Sequence, residues 1–381
     1  MDNFSMMTDE QRELVELSNR ILKAELVPKL AEYEQKGEYP IEVAQKLFDA
    51  GLYGLNVPKK YGGLGIDAMT SCIINEEMAR IDGGFAFSFT GGSGVMDMLE
   101  MCANETQKEY VAKKILEEHT YVGFCLTEPD AGSDAANMRT TAKKEGNEYI
   151  INGTKCFATN GGISDIMLVA ATLDKNLKHK GITLFLVEKK HGYKAGKKED
   201  KMGLRLSNTT EIIFEDVHIP MENLVGEEGK GFKYAMQIME HGRPLQMSYA
   251  VGIAQAALDY AVKYAKERIT FGKPIIKHQG LGFLLADMQA SVHAARAMIR
   301  LSAELADKGI PLGTLSSSTK FFVSEACMQV TVDAVQVLGG YGFMREYPVE
   351  KYMRDIKIFS IFEGTNQINR MVTAGLLEAG Q

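Results

Sequence analysis

Tryptophan is absent from the 381 residues, and proline and cysteine are scarce at nine and five. Cys72, Cys102, Cys125, Cys156 and Cys327 are odd in number, widely spaced and without a CxxC. That excludes a disulfide scaffold or a zinc ribbon and fits a reducing compartment. No GxGxxG opens a strand–helix unit and no GxxxxGK[ST] occurs, so neither common nucleotide-binding fingerprint is expected. The seven histidines show no HExxH or related metal spacing, and there is no GxSxG nucleophile elbow. No apolar run reaches the roughly 18 to 20 residues of a bilayer span. The N-terminal MDNFSMMTDEQRELVEL lacks the basic-then-apolar layout of a signal peptide. Lys plus Arg (43) is outnumbered by Asp plus Glu (50), for a net charge of -7. A basic footprint for nucleic acid or anionic membrane is therefore missing. The expectation is a cytoplasmic chain that binds neither.

What is present is an ordinary globular balance, 45% apolar and 24% charged, with 21 methionines to fill a large core. The order along the chain is helices, a β unit, then helices. Thr8 and Gln11 have the form of a capping box ahead of Leu14, Leu17 and Ile21 at helical spacing, and Pro28 interrupts the pattern. Residues 42–50 and 68–80 continue helical. A Gly-rich stretch, 83–94, precedes another helical segment that ends near His119. Tyr149 to Phe157 reads as a hairpin turning at Asn152-Gly153. Strand-like runs follow at 166–171, 182–187 and 211–219. Long Ala-rich amphipathic patterns at 250–268, 278–306 and 315–338 read as a helix bundle. The expected domains are 1–120, 121–230 and 231–381.

With the usual hydrolase and metal motifs missing, a bound cofactor is expected to carry any difficult chemistry. Four local sequences stand out: FCLTEPDAGSD (124–134), RITFGK (268–273), QVLGGYGF (336–343) and IFEGTNQ (361–367). Each alone has an ordinary explanation: a turn, a solvated helix end, a glycine C-cap, a surface carboxylate. Together, in this order, they resemble the acyl-CoA dehydrogenase family of flavoproteins. The resemblance extends to NGG (160–162), KMGLR (201–205) and YPVEKYMRD (347–355), and covers essentially the whole chain.

The resemblance implies an α+β architecture: an N-terminal helical domain, a central β-barrel and a C-terminal four-helix bundle, in a homotetramer built as a dimer of dimers. It implies FAD between barrel and bundle. Phe124, Leu126, Thr127 and Ser133 would lie along the flavin, with Phe157 and Thr159 covering its ring. Arg268, Thr270, Phe271, Gln279, Gln336 and Gly340 would hold the pyrophosphate and adenosine from a neighbouring subunit, with Thr365 and Gln367 also touching the cofactor. A guanidinium suits phosphate and glycine permits close approach. Glu363 matches the base that takes the α-proton of an acyl-CoA thioester. Ser133, Glu240, Arg243 and Gly364 match substrate-contacting positions, with a helix-face ion pair the ordinary alternative for Glu240. Some relatives place the base immediately before the equivalent of Arg243, but that residue here is Gly242.

Residues 85–94 (FAFSFTGGSG) are expected to line the far end of the acyl pocket. The small Thr90, Gly91 and Gly92 either leave room for a branched or cyclic acyl group or serve close helix packing. No Arg lies between Ile81 and Glu100 to hold a distal carboxylate, which argues against a glutaryl thioester. The expected activity is α,β-dehydrogenation of an acyl-CoA, with electrons passed to electron-transferring flavoprotein. The alternatives are an enoyl-CoA reductase, a dehydrogenase of cyclic or branched thioesters such as cyclohexane-1-carbonyl-CoA, an acyl-CoA oxidase, and a non-enzymatic flavin-binding homologue.

Overall fold

Residues 7–380 are described by a computed structural model. At Thr8 the capping box is formed: its hydroxyl accepts from the Gln11 N–H while the Gln11 side chain accepts from the Thr8 N–H. This starts α1 (Asp9–Glu25), and Pro28 sits in the 3-10 turn that follows. Five more helices complete the N-terminal part: α2 (Leu30–Lys36), α3 (Ile41–Asp49), α4 (Ala68–Ala79), α5 (Gly83–Cys102) and α6 (Glu105–Glu118).

The Gly-rich stretch lies inside α5, where the sequence pattern had shown only punctuation before the next helix. Glycine costs about 1 kcal/mol per helix position, and close packing supplies the compensation. A Cβ at Gly83 would lie 2.5 Å from Ile253, and one at Gly92 2.3 Å from Tyr121. At Gly91 and Gly94 a Cβ would meet nothing within 4 Å. The two readings of these glycines are therefore divided between positions: Gly92 packs, while Gly91 leaves space.

The middle part is an eight-stranded sheet: β1 (Val122–Cys125), β2 (Thr141–Glu145), β3 (Glu148–Thr159), β4 (Ile166–Thr172), β5 (Ile182–Glu188), β6 (Lys194–Lys198), β7 (Thr209–Pro220) and β8 (Leu224–Val225). Hydrogen bonds link them in the order β6-β7-β3-β2-β4-β5-β8, with β1 parallel to β4. Along β4, Met167, Val169 and Ala171 face a core internal to the β unit, while Ile166, Leu168 and Ala170 join the core shared with the helices. Burial on both faces explains why β4 reads as an unbroken apolar run. Side chains from β1, β2, β3, β4, β5 and β7 meet in the internal core, around which the sheet wraps.

The expected hairpin at Asn152-Gly153 is not there: β3 runs straight through it, and the turn lies at Gly146-Asn147. Asn152 instead exchanges two hydrogen bonds with Asp216 across the β3–β7 pair, at 3.0 and 2.9 Å. Gly153 sits at a register shift with φ +148°, where a Cβ would be 2.5 Å from the Thr140 hydroxyl. The dipeptide marks a bulge.

The C-terminal part holds α7 (Gly231–Glu267), a short hairpin of β9 (Ile269–Thr270) and β10 (Lys273–Pro274), α8 (Gln279–Asp307), α9 (Thr314–Leu338), α10 (Val349–Ile356) and α11 (Asn366–Glu378). The helix expected from Ala250 begins at Gly231 and passes through Pro244. Proline has no N–H for the carbonyl four residues back. Here that carbonyl belongs to Glu240, and the Ser316 hydroxyl of α9 donates to it at 2.6 Å. The segment Thr314–Phe343 is long and apolar enough, by composition, to cross a membrane. In the fold α9 packs against α7, α8, α10 and α11.

Candidate active site

Glu363 lies in the turn between the 3-10 segment Lys357–Ser360 and α11. Its backbone is left-handed, φ +56°, and Gly364 follows at +78°. Two side chains hold this strained turn. Asn369 donates to the carbonyls of Gly364 (2.8 Å), Thr365 (3.1 Å) and Glu363 (3.4 Å). Arg243, buried on α7, donates from Nε to the Glu363 carbonyl at 3.1 Å. The Ile361 and Phe362 N–H groups both go to the Ile358 carbonyl, while among the described residues no protein acceptor takes the Glu363 N–H.

The half-buried Glu363 carboxyl accepts no protein hydrogen bond among the described residues. Burial raises its pKa, opposed by the cations Arg243 and Lys320. Lys320 of α9 is fully buried and donates to Asn366 at 2.8 Å. Burial pulls its ammonium down to about 7, against the attraction of Glu363 and Glu325. Arg243 is likewise lowered by burial, with Glu363 and Glu240 opposing. A desolvated carboxyl with two cations nearby and no donor on its oxygens is arranged as a proton acceptor that works above the usual carboxylate range.

The ring of Phe362 stacks on Phe87 of α5 (centroids 5.3 Å), and Phe87 meets Tyr249 of α7 edge-on at 5.3 Å. Tyr249, Thr90, Gly91 and Gly242 line a cavity of about 130 Å³ between α5, α7, α4 and the 52–56 loop. Gly92 is not on its wall, and of these rings only Tyr249 is. Glu240 is half-buried beside Arg243 and forms no ion pair among the described residues.

On the β side, Phe124, Leu126 and Thr127 are brought against Phe157 and Thr159. The Cys156 N–H donates to the Thr127 carbonyl at 3.0 Å, and Lys155 to the Leu126 carbonyl at 3.0 Å. Phe157 has φ +58° and is 63% exposed, so its ring is presented outward. Ser133 lies farther along the loop and is exposed. Beneath it, Glu128 is buried with Lys155 (2.7 Å) and accepts from the N–H groups of Arg139 and Thr140 at 2.5 and 3.0 Å. Cys125 and Cys156 are buried free thiols.

Arg268, Thr270, Gln336 and Gly340 line one cleft of about 680 Å³ where α7 and α9 end. Phe271 projects from the β9–β10 turn, 96% exposed, and Gln279 opens α8. Thr365 caps α11 through its hydroxyl, and Gln367 is exposed in its first turn. Within one chain this cleft and the Phe157–Thr159 surface share no lining residue. Sequence reasoning missed Asn369, Lys320 and Lys155, which carry no local signal, and assigned no role to Asn366 and Glu128 although they lie inside the 361–367 and 124–134 motifs.

Family models for the acyl-CoA dehydrogenase N-terminal, middle and C-terminal domains match residues 8–119, 123–217 and 229–377. The chain belongs to the acyl-CoA dehydrogenase family, oxidoreductases that bind FAD and dehydrogenate acyl-CoA thioesters. It is 41% identical over 383 residues to the short-chain-specific acyl-CoA dehydrogenase of Megasphaera elsdenii, covering 97% of this chain and 98% of the relative. The acyl-CoA dehydrogenase of Bacillus subtilis is 40% identical, covering 98% and 99%. Among solved structures, butyryl-CoA dehydrogenase from Megasphaera elsdenii superposes with a TM-score of 0.94 at 40% identity, covering 98% and 99%. A chain in the structure described as the electron transferring flavoprotein of Acidaminococcus fermentans gives 0.93 at 40% identity, covering 97% and 98%. The residues present fit FAD. An exposed aromatic ring lies beside Thr159, and the separate cleft has Arg268 and open glycines at 339 and 340, where a Cβ would meet nothing within 4 Å.

Proposed function

We propose that Glu363 is the base of this dehydrogenase. The observation that carries the reading is a desolvated carboxyl, without hydrogen-bond donors on its oxygens, held by a turn that Arg243 and Asn369 fix. Glu363 takes the α-proton, and the free Glu363 N–H is available to the thioester carbonyl oxygen as negative charge grows there. Arg243 and Gly364 fix the carboxyl against the substrate, with Glu240 and Ser133 at its edge. FAD, when bound, supplies the acceptor for the β-hydrogen that leaves as hydride.

Phe124, Leu126, Thr127, Phe157 and Thr159 hold the flavin end; Arg268, Thr270, Phe271, Gln279, Gln336 and Gly340 hold the pyrophosphate and adenosine of a neighbouring subunit's cofactor, with Thr365 and Gln367 adjoining. The separation of these two surfaces within one chain supports a homotetramer in which each cofactor spans two subunits. Domains divide at 120/121 and 230/231, electrons pass to electron-transferring flavoprotein, and the enzyme works in the cytoplasm.

The test is anaerobic. The FAD-loaded protein is titrated with CoA thioesters while the flavin spectrum is recorded, in parallel with Glu363→Gln. One thioester should bleach the parent enzyme, and the variant should keep its flavin but not bleach. Bleaching retained by Glu363→Gln removes this residue from the role.

A further inference from the structure

One residue of α5 ties that helix to the flavin surface, and its neighbour faces the base. Asn160, which follows Thr159, is buried with φ +63°, and its Nδ2 donates to the Ser88 carbonyl at 2.8 Å. The fully buried Ser88 hydroxyl accepts from the Asn208 N–H at 3.0 Å and shares a hydrogen bond with the Ser207 hydroxyl at 3.0 Å. The Asn160 N–H closes the group on the Asn208 carbonyl at 2.8 Å. Successive helix residues point about 100° apart, so Phe87 turns away from this junction. Its ring stacks on Phe362, the residue before Glu363, with centroids 5.3 Å and planes 23° apart.

Phe87 therefore sits at the step between the surface that carries Thr159 and the turn that carries Glu363. A thioester whose α-carbon lies at Glu363 and whose β-carbon lies at the flavin has this ring beside the rest of its acyl group. Beyond the ring there is unfilled space. Phe362, Phe87 and Tyr249 touch in that order, and of the three only Tyr249 borders the cavity of about 130 Å³. Gly91, Gly94 and Gly242 also border it, and a Cβ at any of them would meet nothing within 4 Å. Glycine is unfavourable inside a helix, and at these positions no close packing compensates. The volume approaches that of the ~150 Å³ apolar cavity that holds benzene in another protein, room for several carbons of an acyl tail.

We propose that Phe87 is a specificity-determining residue: its ring bounds the acyl site in front of the cavity and limits the enzyme to short, straight acyl groups. The proposal rests on the reading of the chain as an acyl-CoA dehydrogenase with Glu363 as base. A short chain ends against the ring and gains apolar contact with it. A longer or cyclic group must displace a ring held on both sides by Phe362 and Tyr249, and packed side chains resist extra volume. Truncating Phe87 opens the cavity behind it to the tail.

The test compares kcat/KM of the FAD-loaded enzyme for butyryl-CoA, octanoyl-CoA and cyclohexane-1-carbonyl-CoA, in the parent, Phe87→Ala and Phe87→Ala/Gly91→Leu. The ratio between thioesters is read, because partial loss of folded enzyme does not move it. Butyryl-CoA should be favoured over octanoyl-CoA by about 30-fold in the parent and by about threefold or less in Phe87→Ala. Gly91→Leu refills the cavity, so the double variant should return most of the discrimination. If Phe87→Ala does not retain flavin, Phe87→Leu is read in its place and should lower the ratio to about tenfold. An unchanged ratio in the truncated variant overturns the proposal, as does a double variant that keeps the relaxed preference. If octanoyl-CoA or the cyclic thioester bleaches the parent as fast as butyryl-CoA, the proposal falls and the dehydrogenase reading stands. If the flavin is bound and none of the three bleaches it, the underlying reading falls and the proposal falls with it.

Discussion

Two carboxylates in this protein each sit beside a buried lysine and behave in opposite ways. Glu128, under the 124–134 loop, is held below its ordinary range, while Glu363 is raised above its own. Burial pushes both upward. At Glu128 the push is overcome by contact: Lys155 at 2.7 Å and two backbone N–H groups fill its oxygens. At Glu363 the cations act through space only, since Lys320 spends its hydrogen bond on Asn366 and Arg243 on a peptide carbonyl. Donors on the oxygens, rather than depth, separate a carboxylate that anchors a loop from one that can take a proton.

The comparison is broken hardest at Glu363 itself. Glu363→Gln should lower thioester-driven flavin bleaching by about 10³-fold, read by anaerobic stopped flow, with the flavin retained. The next largest effect belongs to the other pair. Lys155→Met leaves a buried charge unpaired and should cost about 3 to 5 kcal/mol in denaturant unfolding. It should also loosen flavin retention, because the Leu126 carbonyl loses its donor. Adding Glu128→Leu to it should recover most of the stability.

Smaller changes sharpen the contrast. Lys320→Met removes a cation that favours ionised Glu363. The pH–rate profile for bleaching should move to higher pH, with a loss of no more than about tenfold at neutral pH. The least effect lies in stability against acid. Folding lowers the Glu128 pKa, so its contribution is present above the unfolded value near 4.5 and is lost as pH falls through the depressed folded value. Glu128→Gln should flatten the acid limb of melting temperature against pH. Glu363 has the other sign: folding favours its protonated form, so stability declines as pH climbs from about 4.5 through the raised value. Glu363→Gln should leave the acid limb in place.

The sequence made the helix–β–helix order legible because capping residues and period changes are local. Thr8 with Gln11 fixed the start of α1, and the two-sided burial of β4 was visible as a solid apolar run. The misreadings share one cause: a residue with a strong local meaning answered instead to a distant partner. Gly83 read as part of a break, yet Ile253 fills the space beside it, while at Gly92 Tyr121 supplies the close packing that was one of its two readings. Asn152-Gly153 read as a turn, yet Asp216 and Thr140 make it a bulge. At the site, the FEGTN motif singled out Glu363 through resemblance alone. Nothing around Lys320 or Asn369 announces that their side chains meet this turn, because α9, α11 and α7 converge on it only after packing.

The proline in α7 has a consequence for the order in which the enzyme is built. During synthesis α7 leaves the ribosome with the Glu240 carbonyl bare, and its partner Ser316 is encoded a whole helix later. α4 and α5 already pack on α7, but the Glu240 carbonyl gains its partner only when α9 docks. The segment that carries Arg243 is therefore completed only when α9 docks, and the Glu363 turn that Arg243 holds is encoded later still.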